Sequence, residues 1–199
     1  MPSPFHSLTY GLFLLSTSAG GRHNACIINT AQQVSSSPAT VSIAVSKDNL
    51  THDMIRATGR FALSVLTEDA PFELFRRFGM QSGRSADKFA GFSEAVGTGD
   101  GLLRLTAWAN AYFTCTVVGS YDAGTHTVFF AAVDEAACLA PGKSVTYEYY
   151  QKHIKTAAPP PASGWVCTVC GHVLLSETLP EDYVCPICKH GAADFVRVK

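Results

Sequence analysis

The strongest restriction on this chain lies in its last thirty-six residues, which hold Cys167-Thr168-Val169-Cys170-Gly171 and Cys185-Pro186-Ile187-Cys188-Lys189, with fourteen residues between Cys170 and Cys185. A Cys-x-x-Cys pair on a tight turn brings both sulfurs to one ion while the turn's amides point at the sulfurs. Two such turns close a tetrahedral four-thiolate shell. A segment of this size cannot bury enough apolar surface to fold alone, so the ion is part of the fold. Zinc and iron both accept the shell. Zinc would be structural, whereas iron would carry electrons.

The 199-residue length fits one domain of ordinary size ahead of this small one. Formal net charge is -1, with fifteen basic and sixteen acidic residues. Neither 1–163 nor 164–199 holds a marked excess of one sign, so no nucleic-acid or membrane surface is expected. Cys26, Cys115 and Cys138 have small or apolar neighbours and read as buried core thiols, and an odd count of seven cysteines fits a reducing cytoplasm. The apolar stretch 8–19 has no Lys or Arg before Arg22 and reads as a first strand rather than a leader. No run of eighteen apolar residues predicts a membrane span. The domains are set at 1–154 and 164–199. Between them, 155–163 carries Pro159-Pro160-Pro161, an extended spacer rising about 3.1 Å per residue.

Residues 1–154 read mainly as strands, at 8–16, 25–33, 40–46, 60–66, 112–121 and 125–133, each rich in Val, Ile, Thr or aromatics. Two short helices interrupt them. One opens with Thr51 as N-cap and stops at Gly59; the other opens at Pro71 with Phe72, Leu74, Phe75 and Phe78 on one side before Gly79. Many strands and few helices predict a closed antiparallel barrel. No dinucleotide-binding glycine fingerprint follows any strand.

The tail resembles rubredoxin. Trp165-Val166-Cys167, Leu179-Pro180-Glu181-Asp182-Tyr183 and Asp194-Phe195 surround the knuckles as the small aromatic core of that family does, and this favours iron over zinc. Residues 5–150 resemble the flavin reductase-like FMN-binding family. The resemblance is carried in order by Leu8-Thr9-Tyr10-Gly11-Leu12, Asn24 to Ala31, Val45 to His52, Gly59-Arg60-Phe61-Ala62-Leu63, Ser82-Gly83-Arg84, Asp87-Lys88-Phe89 and Gly124-Thr125-His126. It implies a mainly β, split β-barrel homodimer with a few short helices and FMN near the subunit interface. The order of the two parts resembles that of the high-molecular-weight rubredoxins.

A phosphate needs oriented N–H donors and positive charge. The helix opening near Thr51, Lys47 on its approach beside Ser46, and the loop Ser82-Gly83-Arg84 could supply both. The resemblance further implies that Asn29, Thr30 and Ala31 present backbone groups to the flavin edge, that Lys88 and Phe89 close over it, and that His126 lies where a nicotinamide stacks. It requires no proton transfer by His126, since hydride transfer to flavin depends on stacking and cofactor electronics. His23, His52 and His172 read as bystanders.

Nicotinamide gives two electrons as hydride, a one-iron centre takes one, and flavin exchanges both ways. The combination implies an NAD(P)H:rubredoxin oxidoreductase that feeds a redox protein such as a flavodiiron oxygen or nitric oxide reductase. Three alternatives stand beside it: a flavin reductase releasing reduced FMN, with the four-cysteine domain a structural dock; an electron carrier without nicotinamide activity; and a zinc-ribbon interaction protein.

Overall fold

A computed structural model describes residues 7–155, 164–168, 171–185 and 190–198. The spacer prolines, Cys170 and Cys188 lie outside the described residues. In chain order the elements are β1 (Phe13–Ala19), β2 (Arg22–Ile28), β3 (Gln32–Ser36), β4 (Ala39–Ser46), α1 (Leu50–Thr58), β5 (Arg60–Leu66), α2 (Phe72–Gly79), β6 (Ala95–Gly97), β7 (Leu103–Leu105), β8 (Ala109–Ala123) and β9 (His126–Cys138). A short helix α3 (Tyr147–Tyr149) runs on as a π-helical turn (Tyr150–Ile154), and the tail adds β10 (Gly164–Cys167), β11 (Val173–Leu174) and β12 (Phe195–Val198).

Seven antiparallel strands form one sheet in the order β2-β1-β5-β8-β9-β4-β3. Val41, Ile43 and Val45 alternate inward along β4, as period-two patterning requires. They share one buried cluster with Leu15 of β1 and with Cys26 and Ile28 of β2. Strands from opposite ends of the sheet therefore meet in one core, and the sheet curls into a barrel. No ladder among the described residues joins β2 to β3, so the barrel is split there instead of closed.

The outer face of β1 and β2 is also covered. Leu74, Phe75 and Phe78 form the buried stripe of α2, and they pack on Leu14, Ala25 and Leu66. With both faces covered, β1 buries four residues in succession and shows no alternation. Helix α1 adds Ile55 to the inner core and ends at Gly59, whose φ of 68° and bond to Ile55 O make the left-handed stop its sequence predicts.

Four expectations change. The N-cap of α1 is Asn49, two residues before Thr51, because the chain leaves β4 through a turn in which Asn49 N donates to Ser46 O. The segment 25–33 is two strands broken at Asn29–Ala31. Strand β9 continues to Cys138, past the end of its ladder with β4, and this thiol is exposed while Cys26 and Cys115 are buried. The short pair β6 and β7 has no counterpart in the sequence reading.

In the tail, β11-β10-β12 form a three-stranded sheet. Cys167, Cys185 and Phe195 are its buried residues, with Trp165, Leu179 and Tyr183 packed around them.

Candidate functional site

A cavity of about 410 Å³ opens beside the break between β2 and β3. Leu12, Ile27, Ile28, Phe75, Phe78 and Met80 give it apolar walls, and Asn29, Ser46, Asn49, Ser82 and Lys88 supply polar groups. A flat apolar ring joined to a polar tail fits such a lining. Four of the expected flavin residues, Asn29, Ser46, Ser82 and Lys88, line it.

The polar end is assembled from three chain segments. Asn49 caps α1 without a side-chain bond to the first-turn amides. Thr51 lies inside the first turn, fully buried, and accepts from Asn24 Nδ2 at 2.8 Å. Asn24 also meets the loop that follows α2. A β-carbon at Gly83 would stand 2.7 Å from Asn24 Cγ, so only glycine lets this loop approach the helix start. The resulting cup of loop amides and helix N-terminus is the arrangement an anion requires.

The two cations expected here are held by carboxylates remote in sequence. Arg84 Nη2 lies 2.6 Å from Asp53 Oδ2, and its hydrogen bond, followed by that from His52, holds the Asp53 carboxyl below its ordinary range. Lys47 Nζ lies 2.7 Å from Asp122 Oδ1, tying the approach to α1 to the tip of the β8-β9 hairpin. His126 opens β9 at that tip, exposed and directly across the ladder from Ser46. Its Nδ1 is 2.9 Å from Thr125 Oγ1.

Lys88 is 4% exposed, and its Nζ donates to Ala25 O and Phe78 O, both at 2.9 Å. It therefore ties α2 to β2 at the cavity wall, and burial pushes its ammonium below the usual lysine range. Phe89 packs against Phe78 at 5.1 Å between ring centres. Thr30 does not line the cavity and acts on the fold. Its hydroxyl donates to Ala44 O at 2.8 Å and accepts from Ala44 N, replacing ladder bonds where the barrel splits. Ala31 packs at the margin of the inner core.

Asn24, Asn49, Met80, Tyr147 and Tyr150 join the site without having been expected. Tyr147 and Tyr150 come from the C-terminal helical segment, and the ring of Tyr150 packs against that of Phe75, tilted by 44° with centres 4.6 Å apart. The aromatic run 147–150 was the available signal.

In the tail, Cys167 and Cys185 are both fully buried. Their turns follow one pattern. Cys167 N donates to His172 O at 2.9 Å and Cys185 N to His190 O at 2.8 Å, while Val166 pairs with Val173 and Val184 with Gly191. The sequence Val-Cys-x-x-Cys-x-His, at 166–172 and again at 184–190, writes this repeat out. Tyr183 senses both sulfurs, since burial first and then the charges of Cys185 and Cys167 raise its phenol above the ordinary value. Two turns with matching bonds at Cys167 and Cys185, their thiols in one aromatic core, fit two positions of a four-thiolate shell; the expected Cys170 and Cys188 lie outside the described residues. Among the described residues no group of three or more metal-ligating side chains occurs, and no helix is long and apolar enough to cross a membrane.

Comparison with known proteins divides the chain in the same way. The model of the flavin reductase like domain matches residues 5–158, and that of the rubrerythrin, rubredoxin-like domain matches residues 165–196. A high molecular weight rubredoxin of Moorella thermoacetica is 34% identical over 224 aligned positions, which cover 97% of each chain. A ferric-chelate reductase (NAD(P)H) of Archaeoglobus fulgidus is 32% identical over 78% of this chain and 91% of its own length. Among solved structures, an NADH:FAD oxidoreductase of Streptomyces globisporus superposes with a TM-score of 0.63 at 26% identity, covering 71% of this chain and 83% of that one.

Proposed function

We propose, for a chain that belongs to the flavin reductase like domain family and carries a rubredoxin-like domain behind it, that it passes electrons from NADH or NADPH through FMN to one iron, and from there to a redox protein. The observation that carries the reading is the presence, in one chain, of a cavity fitted to a flavin and of paired buried cysteine knuckles. Flavin, when bound, takes a hydride's two electrons together and gives them up singly, which is the exchange a one-iron centre needs.

The protein's own groups have these roles in the reading. The α1 N-terminus, Ser46 and the Ser82-Gly83-Arg84 loop hold the phosphate, with Arg84 aimed by Asp53 and Lys47 by Asp122. Asn29, Thr30 and Ala31 offer the edge of the split barrel to the ring system, and Lys88 and Phe89 brace the wall behind it. His126 borders the approach of the nicotinamide and moves no proton. Cys167, Cys170, Cys185 and Cys188 hold iron, for which zinc would be a structural substitute. The domains divide at 154 and 164. The partner is a one-electron acceptor of the flavodiiron type, and the setting is the cytoplasm, in keeping with Cys26, Cys115 and Cys138, which form no disulfide. Two copies pair through the exposed apolar residues of the β8-β9 hairpin, Val118, Tyr121 and Phe130.

A chain ending at Ile154 tests the reading. Both barrel cores are complete by that residue. The shortened protein should bind FMN and reduce it with NADH or NADPH at the rate of the whole chain, yet fail to reduce a one-electron protein acceptor. If it serves that acceptor as well as the whole chain does, the protein is a flavin reductase with a docking module.

A further inference from the structure

We infer that the knuckle domain docks within its own chain at the mouth of the flavin cavity, positioned by Lys155, with Tyr147 and Gln151 as the wall through which the two sites communicate. The inference rests on the electron-transfer reading above and adds where, and through which residues, the transfer takes place.

A second cavity, of about 710 Å³, lies between the barrel and the tail, and Thr168, His190 and Asp194 form its tail side. Thr168 directly follows Cys167, and the carbonyl of His190 accepts the Cys185 amide, so both knuckles face this space. Tyr147 and Gln151 line this cavity and the flavin cavity alike. These two side chains are a wall that both cavities share.

The tail touches the barrel beside that wall. Lys155 Nζ donates to Thr168 O at 3.1 Å. A β-carbon at Gly171 would stand 3.5 Å from Met80 Cε and 3.6 Å from Lys155 Cε, so the first knuckle turn packs on a residue that itself walls the flavin cavity. The backbone of Lys155 is fixed as the cap of the π-helical turn, its N–H bonded to Tyr150 O at 2.8 Å. The side chain thus reaches the knuckle from a rigid base. Electron tunnelling falls steeply with distance, and a knuckle seated here lies beside the wall that Tyr147 and Gln151 give to the flavin cavity.

The transfer balances as one NADH or NADPH and two ferric ions giving the oxidised nicotinamide, two ferrous ions and one proton released to water. A chain with one iron makes the two one-electron steps in succession, and the acceptor protein reoxidises the iron between them.

The test uses the full FMN- and iron-loaded chain, with Lys155→Ala and Lys155→Arg. Rapid mixing with NADH without oxygen follows flavin and iron absorption separately. Hydrogen exchange of residues 147–154 and 171–174 is read on oxidised protein with no nicotinamide present. In Lys155→Ala the flavin rate should be unchanged, the iron rate should fall about fivefold, as loss of one seating hydrogen bond implies, and both segments should exchange faster. Lys155→Arg, which keeps the donor, should restore iron rate and protection. If Lys155→Ala alters neither iron rate nor exchange, the docking is wrong while the electron-transfer reading stands. If iron never follows flavin in the unaltered chain, that reading fails, and the exchange comparison still decides the docking.

Discussion

In the barrel, two buried clusters of thirteen and twelve residues, mostly aliphatic and aromatic, make up the core, with Cys26 and Cys115 as the thiols among them. In the tail, the buried cluster among the described residues is Cys167, Cys185 and Phe195, so groups that would bind the ion are most of it. The barrel carries its site as an addition at the rim of a structure that stands without it. In the tail, fold and chemistry use the same atoms. A change at the site should therefore cost the tail its fold and the barrel only its ligand.

The largest expected effect breaks the tail. Cys185→Ser, or removal of the ion by a chelator, should unfold 164–198 and leave the barrel and its FMN intact, because so short a segment buries too little without its metal. Hydrogen exchange by mass spectrometry reads both halves in one sample. Native-like protection of the metal-free tail would show that its aromatic core suffices.

A smaller effect is expected at the rim of the barrel. In Gly83→Ala the new methyl overlaps the side chain of Asn24, which holds Thr51 at the start of α1. FMN affinity should fall by about 1–3 kcal/mol, the cost of disturbing a buried hydrogen-bonded group, with the thermal midpoint of the FMN-free protein little changed. Fluorescence titration measures the first and scanning calorimetry the second. Equal loss of both would mean that this loop serves the fold and not the ligand.

The smallest effect concerns Lys88, where the barrel does bury a charge. Burial lowers its pKa, so between that value and the unfolded value of about 10.4 the unfolded chain binds more protons and stability rises with pH. The thiol of Cys26, raised by burial, pulls the other way as it titrates. The difference between the wild type and Lys88→Met isolates the lysine. Urea midpoints from neutral to mildly alkaline pH should rise more steeply in the wild type, and parallel curves would mean that Lys88 is not desolvated.

What the sequence disclosed follows the same division. The knuckles were legible because metal binding fixes residue type and spacing locally, and Gly59 and the apolar stripe of α2 were legible for equally local reasons. The barrel cavity was legible only in fragments. Lys47 and Arg84 stood out as cations, but Asp122 and Asp53, which hold them, lie 75 and 31 residues away. Nothing local marks the break at Asn29–Ala31, since it depends on the bond between Thr30 and Ala44 across the barrel. Thr51 and Asn49 are both good caps, and the turn out of β4 chose between them. Tyr147 and Tyr150 reach the cavity from a segment without periodicity, so only folding shows where they go.

The central claim is that barrel and tail form one electron path, and an anaerobic visible spectrum of the whole chain tests it most directly. As isolated, the protein should show flavin and ferric rubredoxin-type absorption together. On adding NADH or NADPH, the flavin band should bleach first and the iron band should follow to completion. Flavin that bleaches while a ferric band persists, or a tail that holds only colourless zinc, would contradict the account.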